Sequence, residues 1–381
     1  MDLKGKFIVE AGHVTEVYGP VQALRNYLIE NTEGFIYITH PFSYTKMEGS
    51  ETVYYKNNRI EKTEKAHKRG KNQMLQWIKD MFFNIGFINR QKRKINLFLG
   101  VDNLNALTGI IMKKLGKVDK VVYYIIDHTP RRFKNPLVNF LYETIDGFAC
   151  RNSDYIWSLS GRIAEAKNKK FRLKGLNNIV VPVGIELDKV GRFTAEEKLK
   201  KKTMVLMSML DETKGVQLLI DAMQDIIKQV PDSELLIIGT GPYEPTLREQ
   251  AKNLKLESNV KFLGLMDHDA LFNFIPHQRI GMAPYIDDAN NYTYFADPTK
   301  PKEYLGCGLP IVITDVAWVS EEVKARPMGI VCRYDRQEIV QACVKLLKDD
   351  DFYTTCLKNA LDFASGLSWN KIYSEAFGKM K

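Results

Sequence analysis

Residues 203–241 read TMVLMSMLDETKGVQLLIDAMQDIIKQVPDSELLIIGTG, and this stretch decides the fold. Its apolar pattern predicts a strand over Thr203–Met209, a helix over Gly215–Gln229 and a second strand over Glu234–Ile238. Short strands that alternate with helices of this length are typical of parallel sheets. The same alternation continues as far as Lys348, which predicts a nearly complete doubly wound domain.

The first half of the chain repeats this alternation of strands and helices. Its predicted strands are Lys6–Ala11, Gly34–Thr39, Ile95–Gly100, Lys120–Ile126 and Asn178–Val183. A charged and weakly apolar segment, Glu186–Lys202, then predicts a domain boundary. We therefore expect an α/β protein with two Rossmann-like domains that face each other across a cleft. The expected ranges are 1–185 for the N-terminal domain, 186–365 for the C-terminal domain, and 366–381 for a last helix that packs back toward the first domain.

The composition indicates a folded globular protein in a reducing compartment. Of its 381 residues, 45% are hydrophobic and 27% are charged. The five cysteines are odd in number and form no CxxC pair, which favours free thiols over disulfides or a zinc site. The apolar run Phe7–Val9 is too short for a signal peptide, and ~18 consecutive apolar residues occur nowhere. We therefore expect a cytoplasmic protein that at most lies on the inner face of the cell membrane.

The net charge of +9 favours anionic partners such as nucleotide diphosphates or phospholipid head groups. Nucleic acid is disfavoured because the basic residues accompany neither zinc-finger spacing nor an RNP-like aromatic motif. The segment Lys56–Lys94 concentrates cations beside the apolar run Met81–Ile88. This combination suits attachment to an anionic membrane surface. The alternative is a solvated loop followed by a buried helix.

Three loops in the second half follow predicted strands, where open α/β sheets bind their ligands. The first loop, residues 208–215, carries Lys214, a compact charge that suits a diphosphate. The second, Gly239-Thr240-Gly241-Pro242, lets the backbone approach a ligand closely. The third begins a helix and places Lys300 and Glu303 on one face. Taken singly, a solvated lysine, a tight turn and a surface ion pair explain these loops as well.

In this order and at this spacing, the three loops resemble those of glycosyltransferase family 4, a large retaining family with the GT-B fold. Val181–Glu186 is similar to the interdomain signature of that family, and Lys300–Pro310 is similar to the helix that ends in its glycine-x-proline. The resemblance covers residues 180–314 well and the remainder loosely. It implies an N-terminal acceptor domain and a C-terminal nucleotide-sugar donor domain.

The resemblance implies a retaining, hexosyltransferase-type enzyme that needs no metal and no cofactor besides its nucleotide-sugar substrate. The implied catalytic residues are His128, Lys214 and Glu303, which would position the substrates and stabilise the charge of the leaving diphosphate. The implied donor-binding residues are Gly19, Ser208, Lys214, Gly239, Gly241, Pro242, Asp297, Lys300 and Glu303. Asp127 and Arg131 flank His128 and are candidates for binding the acceptor, a saccharide or lipid-linked molecule in envelope polysaccharide or glycolipid synthesis.

Two positions depart from the pattern of that family. Met209 stands where the donor-loop arginine is expected, and Phe295 stands where the first of two paired glutamates is expected. Lys300 and Asp297 are the nearest substitutes for the missing charge and the missing sugar contact. The departures leave open a catalytically degenerate protein that binds a nucleotide-sugar or acts as a scaffold. Another GT-B enzyme, an epimerase or an inverting transferase, is a further alternative.

Overall fold

The computed structural model describes residues 1–15, 18–68, 70, 72–173, 177–287 and 292–380. The chain divides into two compact units, Met1–Pro182 with Trp369–Lys381, and Val183–Ser368. The boundary expected after residue 185 lies three residues beyond this division. Arg69 and Lys71, two cations of the predicted membrane segment, lie outside the described residues.

The first unit is built on an eight-stranded sheet flanked by helices. In chain order its elements are β1 Ile8–Val14, α1 Pro20–Asn31, β2 Gly34–Pro41, β3 Gly49–Lys56, β4 Arg59–Lys68, α2 Gln73–Arg90, β5 Ile95–Val101, α3 Asn103–Lys114, β6 Val118–Ile125, α4 Pro136–Asn152, β7 Tyr155–Ser158, α5 Gly161–Phe171 and β8 Asn177–Val180. The strand order is β4-β3-β2-β1-β5-β6-β7-β8. All neighbours pair in parallel except β2 with β3 and β3 with β4.

Strands β3 and β4 form a hairpin in the segment for which a solvated basic loop was the alternative prediction. Asn57 and Asn58 form its two-residue connection, with φ angles of 48° and 62°. Positive φ at both central residues matches the right-handed twist of the paired strands, and asparagine tolerates it better than most residues. The Asn-Asn pair was therefore a usable hairpin signal that the charge of the flanking residues obscured.

Helix α2 turns its polar side inward and much of its apolar side outward. Asn72 caps its start, because the Oδ1 atom accepts hydrogen bonds from the amides of Met74 and Leu75 at 3.0 and 3.2 Å. The buried polar residues of the helix are Gln76, Asp80 and Asn84, spaced four apart. The exposed apolar residues are Met74, Leu75, Ile78 and Phe82. This orientation reverses the usual amphipathic pattern of a surface helix.

The second unit is a doubly wound domain on a six-stranded parallel sheet. Its elements are α6 Ala195–Lys200, β9 Thr203–Met207, α7 Val216–Gln229, β10 Glu234–Ile238, α8 Glu244–Asn253, β11 Val260–Gly264, α9 His268–Phe274, β12 Ile280–Ala283, α10 Thr299–Gly306, β13 Ile311–Thr314, α11 Val319–Ala325, β14 Gly329–Cys332, α12 Arg336–Lys348 and α13 Asp350–Ala364. The strand order is β11-β10-β9-β12-β13-β14. The sequence analysis did not predict β14, a four-residue edge strand.

The strand order reverses direction between β9 and β12. From β9 the chain first adds β10 and β11 on one side, and then returns to add β12, β13 and β14 on the other. Such a reversal opens a crevice beyond the carboxyl ends of the two central strands, where doubly wound sheets bind ligands. The loops after β9 and β12 are therefore the first place to look for a site in this unit.

The last helix, α14 Trp369–Gly378, belongs to the first unit. The Tyr373 hydroxyl donates a hydrogen bond of 2.6 Å to the carbonyl oxygen of Pro20. The rings of Phe377 and Tyr27 stack with their centroids 5.6 Å apart. These contacts attach α14 to helix α1 through buried aromatic side chains, which are worth several kcal/mol when fully packed.

Candidate active site

The loops that follow β9 and β10 lie side by side at the carboxyl edge of the second sheet. The Ser208 amide donates to the carbonyl oxygen of Ile238 at 2.9 Å, and the Leu210 amide donates to that of Thr240 at 3.0 Å. These backbone hydrogen bonds extend the pairing of the two strands beyond their ends. The sequence-predicted residues Ser208, Gly239 and Gly241 are thus brought together.

Both glycines of the second loop are required by close contact with the first. Gly239 has a φ of +125°, and a Cβ atom added there would lie 1.8 Å from the carbonyl oxygen of Ser208. A Cβ atom on Gly241 would lie 2.2 Å from the carbonyl oxygen of Leu210. Any side chain at either position would separate the two loops. Pro242 follows as an exposed residue just before α8.

Lys214 stands at the reversal of the strand order. It is the last residue of a short 3-10 helix, Glu212–Lys214, that continues the loop after β9. Gly215 follows with a φ of +74°, and a Cβ atom there would lie 1.9 Å from the carbonyl oxygen of Pro284. Pro284 comes directly after β12. The chain at Gly215 is therefore pressed against the loop after β12, which places Lys214 beside the crevice.

Glu303 lies on α10, a helix that is fixed to the end of β9. The Met207 amide donates a 2.5 Å hydrogen bond to the hydroxyl oxygen of Tyr304. A Cβ atom on Gly281 would lie 2.5 Å from the Tyr304 ring, so this helix also packs closely on β12. Glu303 is the residue before Tyr304, and it is partly buried. Helix α10, which carries Glu303, is thus attached to the end of β9, the strand that leads into the loop of Lys214.

The carboxyl group of Glu303 is shifted toward its neutral form. Burial raises its pKa, the nearby Lys300 opposes the shift, and Glu186 adds to it. Lys300 is exposed and stands one turn before Glu303 on the same helix. Glu186 is a residue of the predicted interdomain signature, so its charge acts on this site from the start of the second unit.

Asp297 has a different position from the one expected for a sugar contact. Its side chain is closed to solvent, and its Oδ2 atom lies 2.5 Å from Nζ of Lys302. The same oxygen accepts a 2.7 Å hydrogen bond from the Val183 amide. Asp297 therefore ties the start of α10 to the first residue of the unit. Pro298 occupies the N-cap position of α10 and makes no side-chain capping hydrogen bond there.

The predicted site residues of the first unit lie after β1 and β6. Gly19 precedes α1, and its amide donates to Oε1 of Gln22 at 3.1 Å. His128 follows β6 and is partly buried. Burial lowers its pKa to about 4, and Lys167 adds to the shift. The imidazole is therefore neutral at physiological pH, a form in which it both donates and accepts hydrogen bonds.

The two residues proposed to bind the acceptor are engaged by their own loop. The Asp127 carboxylate forms an ion pair with Arg132. The Arg131 guanidinium donates to the carbonyl oxygens of Phe133 and Lys134 at 3.2 and 2.7 Å. In this conformation the Arg131 guanidinium is turned toward the residues that follow it, and Arg132 is the arginine that reaches Asp127 near the end of β6.

The sequence analysis missed a cavity in the first unit, at the carboxyl ends of β1, β5 and β6. Its volume is about 340 Å³, within the usual range of small-molecule sites. Most of its lining is aliphatic or aromatic and comes from α2, α3 and α4. The polar lining residues are His13, Asp102, Asn103, Asp127 and Arg132. A usable signal was that His13 and Asp102 each stand at the end of a buried strand.

His13 is held between two carboxylates at the wall of this cavity. Its Nδ1 atom lies 2.6 Å from Oδ2 of Asp102, and its Nε2 atom lies 3.2 Å from Oδ2 of Asp80. Nδ1 of His40 lies 3.1 Å from the other oxygen of Asp80. Burial disfavours the imidazolium, but the two carboxylates outweigh burial and raise the pKa of His13 to about 9. His13 is therefore a cation at neutral pH.

Asp102 combines this ion pair with an unusual backbone conformation. Its φ is +83°, which is rare for a residue other than glycine. Its Oδ1 atom accepts hydrogen bonds of 3.0 Å from the amides of Leu104 and Asn105, which caps helix α3. Burial raises the pKa of the Asp102 carboxyl, but the charge of His13 more than compensates and lowers it. Backbone strain of this kind clusters at functional sites.

The second unit matches a known family. Residues 201–349 match the family model described as glycosyl transferases group 1. A GDP-mannose-dependent phosphatidylinositol monomannoside mannosyltransferase of Corynebacterium glutamicum is 27% identical over 179 residues, 44% of this chain and 46% of the relative. An alpha-monoglucosyldiacylglycerol synthase of Streptococcus pneumoniae is 24% identical over 44% of this chain and 39% of its own length. The chain thus spans less than half the length of these relatives.

Solved structures resemble the whole chain. Sucrose-phosphate synthase of Thermosynechococcus elongatus aligns with a TM-score of 0.70 at 15% identity, over 98% of this chain and 99% of its own. The Anabaena protein HepE in complex with UDP gives the same TM-score, identity and coverage. At this identity the likeness concerns the fold, and it confirms the expected α/β class with two Rossmann-like domains. Residues 201–349 of the second unit thus resemble the glycosyl transferases group 1 family, and the chain as a whole has the GT-B fold.

Proposed function

We propose that this chain is a retaining, metal-independent glycosyltransferase that moves a sugar from a nucleotide-sugar donor to a saccharide or lipid-linked acceptor. The observation that carries the proposal is the adjacency of three loops at the strand reversal of the second unit. The loops that carry Lys214 and Gly239 contact each other through backbone atoms, and helix α10, which carries Glu303, is attached to the end of β9 by the Tyr304 hydroxyl. Doubly wound sheets bind nucleotides at this point.

The donor diphosphate would sit against the loop after β9. Lys214 would stabilise its charge as the glycosidic bond breaks, and Lys300 would supply the second cation that Met209 does not provide. Gly239 and Gly241 let the loop after β10 pack directly on the loop after β9, so that both loops would face the nucleotide together. The partly buried Glu303 would form hydrogen bonds with the ribose hydroxyls. Its raised pKa does not prevent this, because a carboxylate accepts such bonds and a protonated carboxyl group both donates and accepts them.

The acceptor would bind the first unit, near the residues that follow β6. The neutral His128 would hydrogen-bond the transferred sugar without placing a cation beside the developing positive charge of the sugar ring. Asp127 and Arg132 form an ion pair at the same strand end, where they would orient acceptor hydroxyls. The names of two relatives include lipid acceptors, which favours glycolipid or envelope polysaccharide synthesis at the cytoplasmic face of a membrane.

The proposal is tested by nucleotide binding and turnover. Thermal-shift measurements with UDP, GDP and their sugars should identify the donor, because a ligand of the folded state raises the melting temperature. Lys214→Ala and Glu303→Ala should each weaken donor binding by about 10- to 100-fold, the worth of one charged hydrogen bond. Lys228→Ala, an exposed lysine at the far end of α7, is the control and should change nothing. Unaltered turnover in both site variants would refute the assignment.

A nucleotide-sugar-binding protein without turnover is the second candidate. Met209 favours it, because this exposed apolar side chain stands where the resemblance calls for a phosphate-binding arginine. Donor binding in calorimetry without transfer to any member of an acceptor panel would support this alternative. Where transfer occurs, the anomeric configuration of the product by NMR separates a retaining enzyme from an inverting one.

A further inference from the structure

The cavity of the first unit opens between two helices that both turn apolar side chains outward. Met74 and Ile78 of α2 and Leu141 of α4 line it, and each is close to half exposed. Beyond this rim the exposed apolar surface continues over Leu75, Phe82, Leu137 and Phe140. Contiguous exposed apolar surface around a cavity is typical of a ligand-binding site.

The orientation of α2 has a cause inside the unit. Asp80 accepts hydrogen bonds from Gln76 Nε2 at 2.8 Å and from the Ser50 hydroxyl at 3.0 Å, besides its contacts with the two histidines. Asn84 Nδ2 donates to Oδ1 of Asn105 at 2.7 Å. Because the polar side chains of α2 form this buried network, the opposite, apolar side of the helix faces outward. The network therefore fixes both the apolar rim and the position of His13 at the cavity wall.

Both cations that line the cavity are paired with carboxylates. His13 lies between Asp102 and Asp80, and Arg132 lies against Asp127. A mostly apolar lining in which both cations are paired favours an uncharged ligand over an anionic one, because an anion would lose its hydration without finding an opposite charge. Within the His13 network, Asp102 is the accessible carboxylate: its side chain is 31% exposed, against 1% for Asp80.

We infer that this cavity binds the apolar part of an uncharged amphiphilic acceptor, and that the Asp102 carboxylate accepts a hydrogen bond from the acceptor hydroxyl. This inference deepens the proposed function and rests on it, since it names the acceptor class for the same enzyme. The apolar rim on α2 and α4 accommodates the part of the acyl or alkyl chain that exceeds the cavity. His13 positions Asp102 and keeps it ionised, so that the carboxylate can only accept.

The test is calorimetry with n-decyl β-D-glucopyranoside below its micellar concentration, with methyl β-D-glucopyranoside as the matched ligand without a chain. The decyl compound should bind measurably more tightly, by at least about tenfold, because burial of the chain supplies the free energy. Val138→Trp, which fills the cavity from α4, should weaken decyl binding about tenfold or more. Leu115→Trp, at an exposed apolar residue outside both the lining and the rim, should leave binding within about twofold.

Asp102→Asn tests the polar end of the site. Asparagine retains an oxygen that caps α3 but loses the charge, so binding of the decyl glucoside should weaken by several fold, with the apolar contribution intact. The variant should also lower the midpoint at which the His13 ring titrates in NMR, a shift that a purely structural role at the helix cap would not produce.

Three results would overturn the inference. These are equal binding of the decyl and methyl compounds, equal losses in Val138→Trp and Leu115→Trp, and a dimer in sedimentation that Val138→Trp converts to monomer. The second would indicate unspecific adsorption to exposed apolar side chains, and the third would show that a second copy of the chain covers the cavity. Binding of UDP and GDP is measured on the same samples. Nucleotide binding that persists while the decyl compound fails to bind would refute this inference and leave the proposed function intact, because the nucleotide would bind the loops of the second unit.

Discussion

The Nδ1 atom of His13 lies 2.6 Å from Oδ2 of Asp102, and the two residues end neighbouring parallel strands. Gly12 of β1 is paired with Val101 of β5, so the next residue of each strand reaches the same edge of the sheet. A histidine and an aspartate 89 positions apart in the chain thus form one ion pair. The pair sits at the wall of an apolar cavity, where its hydrogen bonds are strong because water is largely excluded.

This ion pair should make the stability of the protein depend on pH. The pKa of His13 is raised from 6.5 to about 9 on folding. Its contribution to the free energy of unfolding is therefore fully present below pH 6.5 and is lost as the pH rises through 9. The loss should be on the order of 3 kcal/mol. Urea unfolding of the protein and of His13→Asn at pH 6 and pH 9 checks this. The difference between the two proteins should shrink at pH 9, and a constant difference would contradict the assignment.

Gly239→Ala should damage the nucleotide site. The new Cβ atom would lie 1.8 Å from the carbonyl oxygen of Ser208, so the two loops must separate. We expect the free energy of unfolding to fall by about 1–3 kcal/mol, and we expect nucleotide binding to weaken as well, because the loops that would bind the nucleotide move apart. Gly264→Ala is the control, because that glycine also has positive φ but open space around it. If both variants bind nucleotide equally well, the close contact does not matter for binding.

Lys302→Met should destabilise the second unit strongly. The change leaves Asp297 buried without its cation, which costs about 3–5 kcal/mol. Arg326→Ala, which breaks the exposed pair with Asp362, should cost less than about 1 kcal/mol. Chemical denaturation of the three proteins measures both effects. Similar losses in the two variants would show that burial of the Lys302 pair is not what determines its contribution.

Attachment to membranes should depend more on the apolar rim than on charge. Three cations of the β3–β4 hairpin, Lys56, Lys62 and Lys65, lie within 4 Å of glutamates, so the predicted cationic surface is partly neutralised. Phe82→Ser on α2 should therefore reduce flotation with anionic liposomes at both low and high salt. Leu115→Ser, an exposed apolar residue outside the rim, is the control.

The opposite result would also be informative. Binding that 0.5 M salt abolishes and that Phe82→Ser leaves intact would indicate attachment through cations alone. If no protein floats with the liposomes at low salt, the protein does not attach to this lipid. Among the described residues, the helices include none with the length and apolar character that a bilayer crossing demands.

Most of the second unit was predictable because local patterns and global fold agree there. Its strands are short apolar runs that end in glycine, proline or charged residues, and its helices carry a regular apolar stripe. Ser208, Lys214, Gly239 and Glu303 were predicted as site residues because each lies in a loop after a strand or on a helix that follows one, and parallel strands bring such positions to one edge. The unpredicted β14 is a short edge strand whose pattern is too brief to stand out.

The first unit shows where local pattern fails. Helix α2 has its apolar residues on the exposed side, because Gln76, Asp80 and Asn84 are needed by a network that includes His13 and His40. Those partners come from distant strands, so no window of sequence reveals them. The amino-acid sequence established the two-domain α/β fold and predicted which loops reach the carboxyl edge of the second sheet, since these depend on periodicity and turn residues. The ionised His13–Asp102 pair and the apolar cavity beside it arise only in the folded chain, because burial and long-range pairing set both the charges and the exposed faces.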